Sequence, residues 1–245
     1  MEKILITGGT GTLGKAVVRR VLEGGREVRV LSRRPGSSGE AERVVGDLRT
    51  GDGVAEAVSG VDTIVHCATT LGRDDVRTTR LLAEAARDGG AKPHLIYISI
   101  AGIDTIPLSY YRTKLATEHV VKNSGLPWTI LRTTQFHDLI ARMFSAQRAL
   151  PVTAVLSGVR FQPVDVRVVA ERMAALAEEG ESGRVPDLGG PEIRTMADLA
   201  RAYRARPVAP LPLFGKTVRA FRAGDNLVPG NAVDGPTFEE FLAGR

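Results

Sequence analysis

The sequence has one cysteine, Cys67, one tryptophan, and only 5 % aromatic residues. A single cysteine allows no intramolecular disulfide, which predicts a reducing, cytoplasmic setting. No 18 apolar residues follow one another, so no membrane-spanning helix is predicted, and the apolar run Ile4-Leu5-Ile6 is too short for the core of a signal peptide. The chain is basic, with 33 Lys and Arg against 28 Asp and Glu and a net charge of +5. Almost all of that positive charge is arginine scattered along the chain. A nucleic-acid face needs clustered cations interleaved with aromatic rings, so no nucleic-acid partner is expected. The four histidines, His66, His94, His119 and His137, show no metal-ligand spacing, and no metal is expected.

What is present is an alternation. Ile4-Leu5-Ile6, Val28 to Leu31, Val44-Val45, Thr63 to Val65, Leu95 to Ile98 and Thr129 to Leu131 are short apolar runs rich in β-branched residues, the pattern of buried parallel strands. Between them lie amphipathic stretches at 13–22, 52–59, 74–88 and 109–123. The first carries Leu13, Ala16, Val17, Val21 and Leu22 on one helical face and stops at Gly24-Gly25. Strands alternating with helices predict an α/β, doubly wound parallel sheet of Rossmann-like type. Beyond residue 135 the alternation weakens. Helices are predicted at 136–149, 166–179, 195–204 and 238–242, with short strands near 159–162 and 184–190. The expected organisation is a core over 1–135 and a small C-terminal cap over 136–245, packed as one structural unit. Pro207, Pro210, Pro212, Pro229 and Pro236 mark an irregular final segment.

The first strand runs into Thr7-Gly8-Gly9-Thr10-Gly11-Thr12-Leu13-Gly14, which opens the first helix. Glycines so placed let backbone amides and a helix N-terminus approach a pyrophosphate, so Gly8, Thr10, Gly11, Thr12, Leu13 and Gly14 are candidate dinucleotide contacts. The second strand ends Ser32-Arg33-Arg34 with no acid. Hydroxyl and guanidinium donors suit a 2′-phosphate, which predicts NADP(H) over NAD(H). Asp47, followed by Leu48 at the end of the third strand, either accepts from an adenine amino group or caps the next helix. Ala68, Thr69 and Thr70 follow the fourth strand beside the expected cofactor track. Cys67 reads as a small buried residue rather than a nucleophile.

After the fifth strand, Tyr110 and Lys114 stand one helical turn apart. With 4 Tyr and 6 Lys in 245 residues, chance supplies such a spacing only about 0.1 times. A phenol can protonate a forming alkoxide, and a neighbouring ammonium lowers its pKa toward neutrality. Lys114 is therefore expected to assist Tyr110 and to hold the nicotinamide ribose, with Tyr111 as the alternative phenol. Ser99, at the end of the fifth strand, is the candidate for orienting a substrate carbonyl.

These motifs resemble the short-chain dehydrogenase/reductases, and more closely their atypical, NmrA-like branch. Thr7-Gly8-x-x-Gly11-x-x-Gly14 is similar to that branch's cofactor loop and Tyr110-x-x-x-Lys114 to the superfamily's catalytic pair. Pro127 to Arg132, followed by Thr133, Thr134, Gln135 and Phe136, resembles the sixth strand and the turn lining the nicotinamide. Gln162 to Val166 and Asp187 to Pro191 resemble the cap. The chain departs from the commoner pattern in the short gap between Ser99 and Tyr110 and in the second phenol at Tyr111.

The resemblance implies an NADP(H)-dependent oxidoreductase that transfers a hydride between the nicotinamide and a small carbonyl or alcohol substrate. Its alternatives are an NADP-binding redox sensor without catalysis, or an isomerase or epimerase on the same fold. The expected partner is a small molecule, with no membrane contact, and the chain is a monomer or homodimer. Phe136, His137, Phe144, Phe161 and Phe214 are candidates for an apolar pocket or for plain core.

Overall fold

The computed structural model describes residues 2–36, 39–204 and 206–245. The chain runs β1 (Lys3–Thr7), α1 (Thr12–Glu23), β2 (Glu27–Ser32), β3 (Glu42–Val45), α2 (Val54–Val58), β4 (Thr63–His66), α3 (Asp74–Asp88), β5 (His94–Ile100), α4 (Ser109–Lys122) and β6 (Trp128–Thr133). It continues through α5 (His137–Ser145), β7 (Thr153–Leu156), β8 (Arg160–Phe161), α6 (Val166–Glu179), β9 (Gly183–Arg184), β10 (Arg194–Thr195), α7 (Met196–Tyr203), β11 (Val208–Leu211), α8 (Lys216–Ala223) and α9 (Phe238–Ala243). No helix among the described residues is long and apolar enough to cross a membrane.

The chain divides into two compact units that interleave in sequence. The first comprises 1–99, 112–131 and 169–185; the second comprises 100–111, 132–168 and 186–245. The expected boundary at residue 135 is therefore not a single cut. β9 pairs in parallel with β6, Thr129 beside Gly183, and so carries most of α6 back into the first unit.

The first unit holds the seven-stranded parallel sheet, ordered β3-β2-β1-β4-β5-β6-β9 and flanked by helices. Its central strands β1, β2, β4, β5 and β6 are largely buried on both faces, as their apolar runs require. Leu5, Ile64, Leu82, Leu95 and Ile130 form the centre of one apolar layer. The strand order reverses between β1 and β4. In open α/β sheets that switch point, at the carboxyl ends of the strands, is where a crevice opens.

The second unit is built differently. Its core gathers Ile140, Phe144, Val155, Phe161, Leu199 and Phe238 from three helices and two short strands. β7 and β11 form a two-stranded parallel pair that the sequence did not predict, because β11 reads Val208-Ala209-Pro210-Leu211. The carbonyls of Pro207 and Leu211 accept from Thr153 and Ser157 of the β7 segment. By alternation the odd residues thus face β7, and Pro210 faces the other edge, where a missing N–H costs no ladder bond.

Candidate functional site

In the first unit, β1 ends in Thr7 and the chain turns sharply through Gly8, whose φ is +70°. A Cβ at Gly8 would lie 2.7 Å from the Ala68 amide nitrogen, and one at Gly14 would press on the Gly8 carbonyl oxygen. The glycines are therefore fixed by close backbone approach. Thr10, Gly11 and Thr12 are exposed, while Leu13 is buried and anchors α1. No side chain caps α1, and no acidic residue occupies its first turn. Its leading amides are left without a side-chain cap beside the exposed small residues Thr10, Gly11 and Thr12, a cradle that fits a dinucleotide pyrophosphate.

At the end of β2, Arg33 and Arg34 are exposed and have no ion-pair partner among the described residues. The Ser32 hydroxyl receives the Arg34 amide at 3.3 Å, which folds the two arginines into a tight turn. Two unpaired guanidiniums without a competing carboxylate fit a phosphate monoester. Asp47 accepts the Arg49 amide at 2.8 Å in a local turn; it does not cap α2, which Gly53 precedes without any side-chain cap. Leu48 packs at the margin of the sheet core.

The turn after β4 is organised by a residue that sequence reading passed over. Asp75, 2 % exposed, accepts the Thr69 hydroxyl at 2.6 Å, the Thr70 hydroxyl at 2.7 Å and the Thr70 amide. Thr69 and Thr70 thus spend their hydroxyls within the protein. The signal available was an Asp at the start of a helix five residues after a Thr pair, which also reads as an ordinary favourable helix charge. Cys67 is kept protonated, because burial pushes its thiol up to about 12. Among the described residues no three His, Cys, Asp or Glu side chains gather as metal ligands.

Lys114, on α4, is 4 % exposed. Its ammonium donates to the Ile98 carbonyl at 2.7 Å and stands 4.0 Å from the centre of the Tyr97 ring. Burial lowers its pKa to about 8, with Asp75, Glu118 and Cys67 pulling it back up. Ser99 is 2 % exposed, and its hydroxyl has no hydrogen-bond partner among the described residues.

In the second unit lie the start of α4 and the turn after β6. Tyr110 is half-buried, whereas Tyr111 is 5 % exposed, packs edge-on against Phe221 and has its pKa raised by burial. Thr133 is buried, and its carbonyl accepts the Ala101 amide. Gln135 donates to the Tyr111 hydroxyl at 3.5 Å and accepts from Asn226 at 3.4 Å. Asn226 is fully buried, donates also to the Arg160 carbonyl, and leaves its own Oδ1 without a partner. Neither this asparagine nor its link to Gln135 was legible, since 91 residues separate the two.

Phe136 is half-buried at the head of α5. Of the other proposed pocket residues, Phe144 and Phe161 are core. His137 is buried, bonded to the Pro236 carbonyl and stacked on Phe241, while Phe214 is 86 % exposed.

A family profile described as NAD(P)H-binding matches residues 8–155, which contain the glycine turn, the Ser32-Arg33-Arg34 corner, Asp75 and Lys114. The chain belongs to this NAD(P)H-binding family. It is 31 % identical over 205 residues to a (4-alkanoyl-5-oxo-2,5-dihydrofuran-3-yl)methyl phosphate reductase of Streptomyces griseus, covering 78 % of this chain and 69 % of that protein. It is 27 % identical over 215 residues to an NAD(P)H azoreductase of Xenophilus azovorans, covering 84 % and 75 %. The fold is that of an NADPH-dependent quinone oxidoreductase of Escherichia coli solved with NADPH, with a TM-score of 0.83, 19 % identity, and coverage of 98 % of this chain and 99 % of that one. The doubly wound architecture and the oxidoreductase class are both borne out.

Proposed function

We propose that this chain is an NADP(H)-dependent oxidoreductase of the NmrA-like branch, reducing a small carbonyl compound with Tyr110 as general acid. The observation that carries the reading is Lys114, a buried lysine whose pKa is lowered to about 8, one turn along α4 from Tyr110. Such a cation stabilises a phenolate on the same helix face and makes the phenol a better acid near neutral pH. Tyr110 donates its proton to the substrate oxygen as negative charge develops there. Tyr111 serves this role poorly, since burial raises its pKa and Gln135 occupies its hydroxyl. Ser99, with its hydroxyl uncommitted, orients the substrate carbonyl.

The cofactor supplies the hydride when bound. Gly8, Thr10, Gly11, Thr12, Leu13 and Gly14 form its pyrophosphate cradle, Ser32, Arg33 and Arg34 take the 2′-phosphate, and Asp47 and Leu48 border the adenine. Ala68, Thr69, Thr70, Thr133, Gln135 and Phe136 line its remaining length, with Lys114 holding the ribose. The names of the relatives, a phosphate-ester reductase, an azoreductase and a quinone oxidoreductase, support the reductive direction.

The test is NADPH oxidation across ketones, aldehydes and quinones. Tyr110→Phe is expected to lower turnover about 10²- to 10⁴-fold. Wild-type rates in both Tyr110→Phe and Lys114→Ala would overturn the assignment, and NADPH binding without turnover of any compound would favour the redox sensor. Calorimetry decides the cofactor. Replacing Arg33 and Arg34 by Ala is expected to weaken NADPH binding about 10-fold or more while sparing NADH. Tighter binding of NADH than NADPH by the unmodified protein would remove the 2′-phosphate role.

A further inference from the structure

The strand register lays out a row of residues near the carboxyl ends of the first unit's central strands. Leu31 of β2 sits beside Thr7 of β1, Thr7 beside His66 of β4, and His66 beside Tyr97 of β5. Three of them form a continuous polar and aromatic chain. The Thr7 hydroxyl meets His66 Nδ1 at 2.6 Å, and His66 Nε2 meets the Thr79 hydroxyl at 2.8 Å, so both ring nitrogens are committed. The imidazole is 1 % exposed and stacks on Tyr97, with centroids 5.6 Å apart and planes 28° apart. Tyr97 is 1 % exposed, and the Lys114 ammonium lies 4.0 Å from its ring centre.

This arrangement is more than core packing. Among the described residues the three N–H groups of this ammonium find one acceptor, the Ile98 carbonyl at 2.7 Å. The flat face of an aromatic ring is then a strong neighbour, because its quadrupole attracts a cation most where water is excluded. The ring cannot turn aside freely, since His66 is stacked on it and is itself pinned between two threonines. We infer that Tyr97 is a positioning residue for Lys114: its ring, fixed by the Thr7–His66–Thr79 bridge, holds the ammonium charged and in place beside β5. The inference deepens the proposed function, on whose use of Lys114 it rests.

The other ionisable groups facing Lys114 are Asp75 from α3, Glu118 from its own helix, and Cys67 and His66 at the end of β4. The acids favour the charged lysine. Cys67 and His66 are neutral near pH 7, since burial pushes the thiol up to about 12 and the imidazole down to about 3. Removing the ring's attraction therefore leaves desolvation less opposed, and the lysine should lose its proton at lower pH.

The experiment follows the ¹³Cε signal of Lys114 by NMR against pH in the cofactor-free protein, assigned by its absence in Lys114→Met; with six lysines the spectrum is simple. A midpoint near 8 is expected for the wild type. Tyr97→Phe keeps the ring and should reproduce it. Tyr97→Leu should lower the midpoint by about half to one pH unit. Because Tyr97 is a core residue, a series of increasingly fluorinated phenylalanines at position 97 preserves shape while draining the ring's negative face, and should lower the midpoint stepwise. A midpoint constant across that series would overturn the inference. The alkaline limb of the kcat profile should move with the midpoint. Full turnover by Lys114→Met would instead sink the catalytic reading of the lysine, independently of what the titration shows.

Discussion

The two compact units bury their polar groups in different ways. In the first, the polar groups sit in register on neighbouring parallel strands or one loop away: Thr7 beside His66, and Asp75 five and six residues from the threonines it holds. In the second, single side chains tie together backbone segments far apart in sequence. Gln162 receives the Val228 amide across 66 residues and donates to Gly190 across 28, and His137 reaches Pro236 across 99. A periodic backbone distributes its stability over many equivalent ladder bonds, whereas a fold made of long-range side-chain ties concentrates it in a few residues. The first arrangement should fail through burial and charge, the second through loss of one amide.

The largest expected effect concerns acid. Burial holds the His66 pKa near 3, with Lys114 pushing it the same way, against an ordinary 6.5. Between pH 6.5 and 3 the unfolded chain binds this proton and the folded chain does not, so stability falls as pH falls through that window. The full shift corresponds to about 5 kcal/mol. Urea unfolding followed by Trp128, which lies in the first unit, should show this slope, and His66→Gln should remove most of it. An unchanged slope would mean that His66 already carries a proton in the folded protein.

A second break is geometric. Gly14→Ala places a methyl group against the Gly8 carbonyl and should cost about 3 kcal/mol, together with NADPH binding, measured by the same unfolding curve and by calorimetry. If Gly14→Ala is neutral, the glycine turn is looser than the structure describes.

The smallest effect sharpens the contrast from the other side. Gln162→Ala strands the Gly190 carbonyl and the Val228 amide and should cost about 2 kcal/mol, seen as faster hydrogen exchange at Val228. The Trp128 transition should move less than that exchange implies. Should it move by the full amount, the two units melt as one cooperative body and the contrast dissolves.

Legibility in the sequence follows the same division. The helix over Asp74–Asp88 and that over Val166–Glu179 were readable to the residue, because periodicity and caps are local signals. So were the glycine turn and the spacing of Tyr110 and Lys114. Asp75 was hidden because its role depends on a turn rather than a motif. Tyr97 was hidden inside Leu95-Ile96-Tyr97-Ile98, where it reads as one more core residue. Asn226 and Gln162 could not have been paired with their partners by any local rule. β11 was missed because Pro210, which argues against a strand, occupies a position where no ladder donor is required.

The direction of Pro210 in β11 carries one more consequence. A strand with a neighbour on one side only offers its other side to any passing chain, and the usual outcome of such an offer is fibril growth or exchange of segments between molecules. Here the outward-facing positions include Pro210 and, just beyond the strand, Pro212, neither of which has a proton to give. An incoming strand would find a donor at Val208 but none at Pro210 or Pro212, so it could not zip along this edge. The prolines that blurred this segment in the sequence thus guard the open side of a parallel pair against templating.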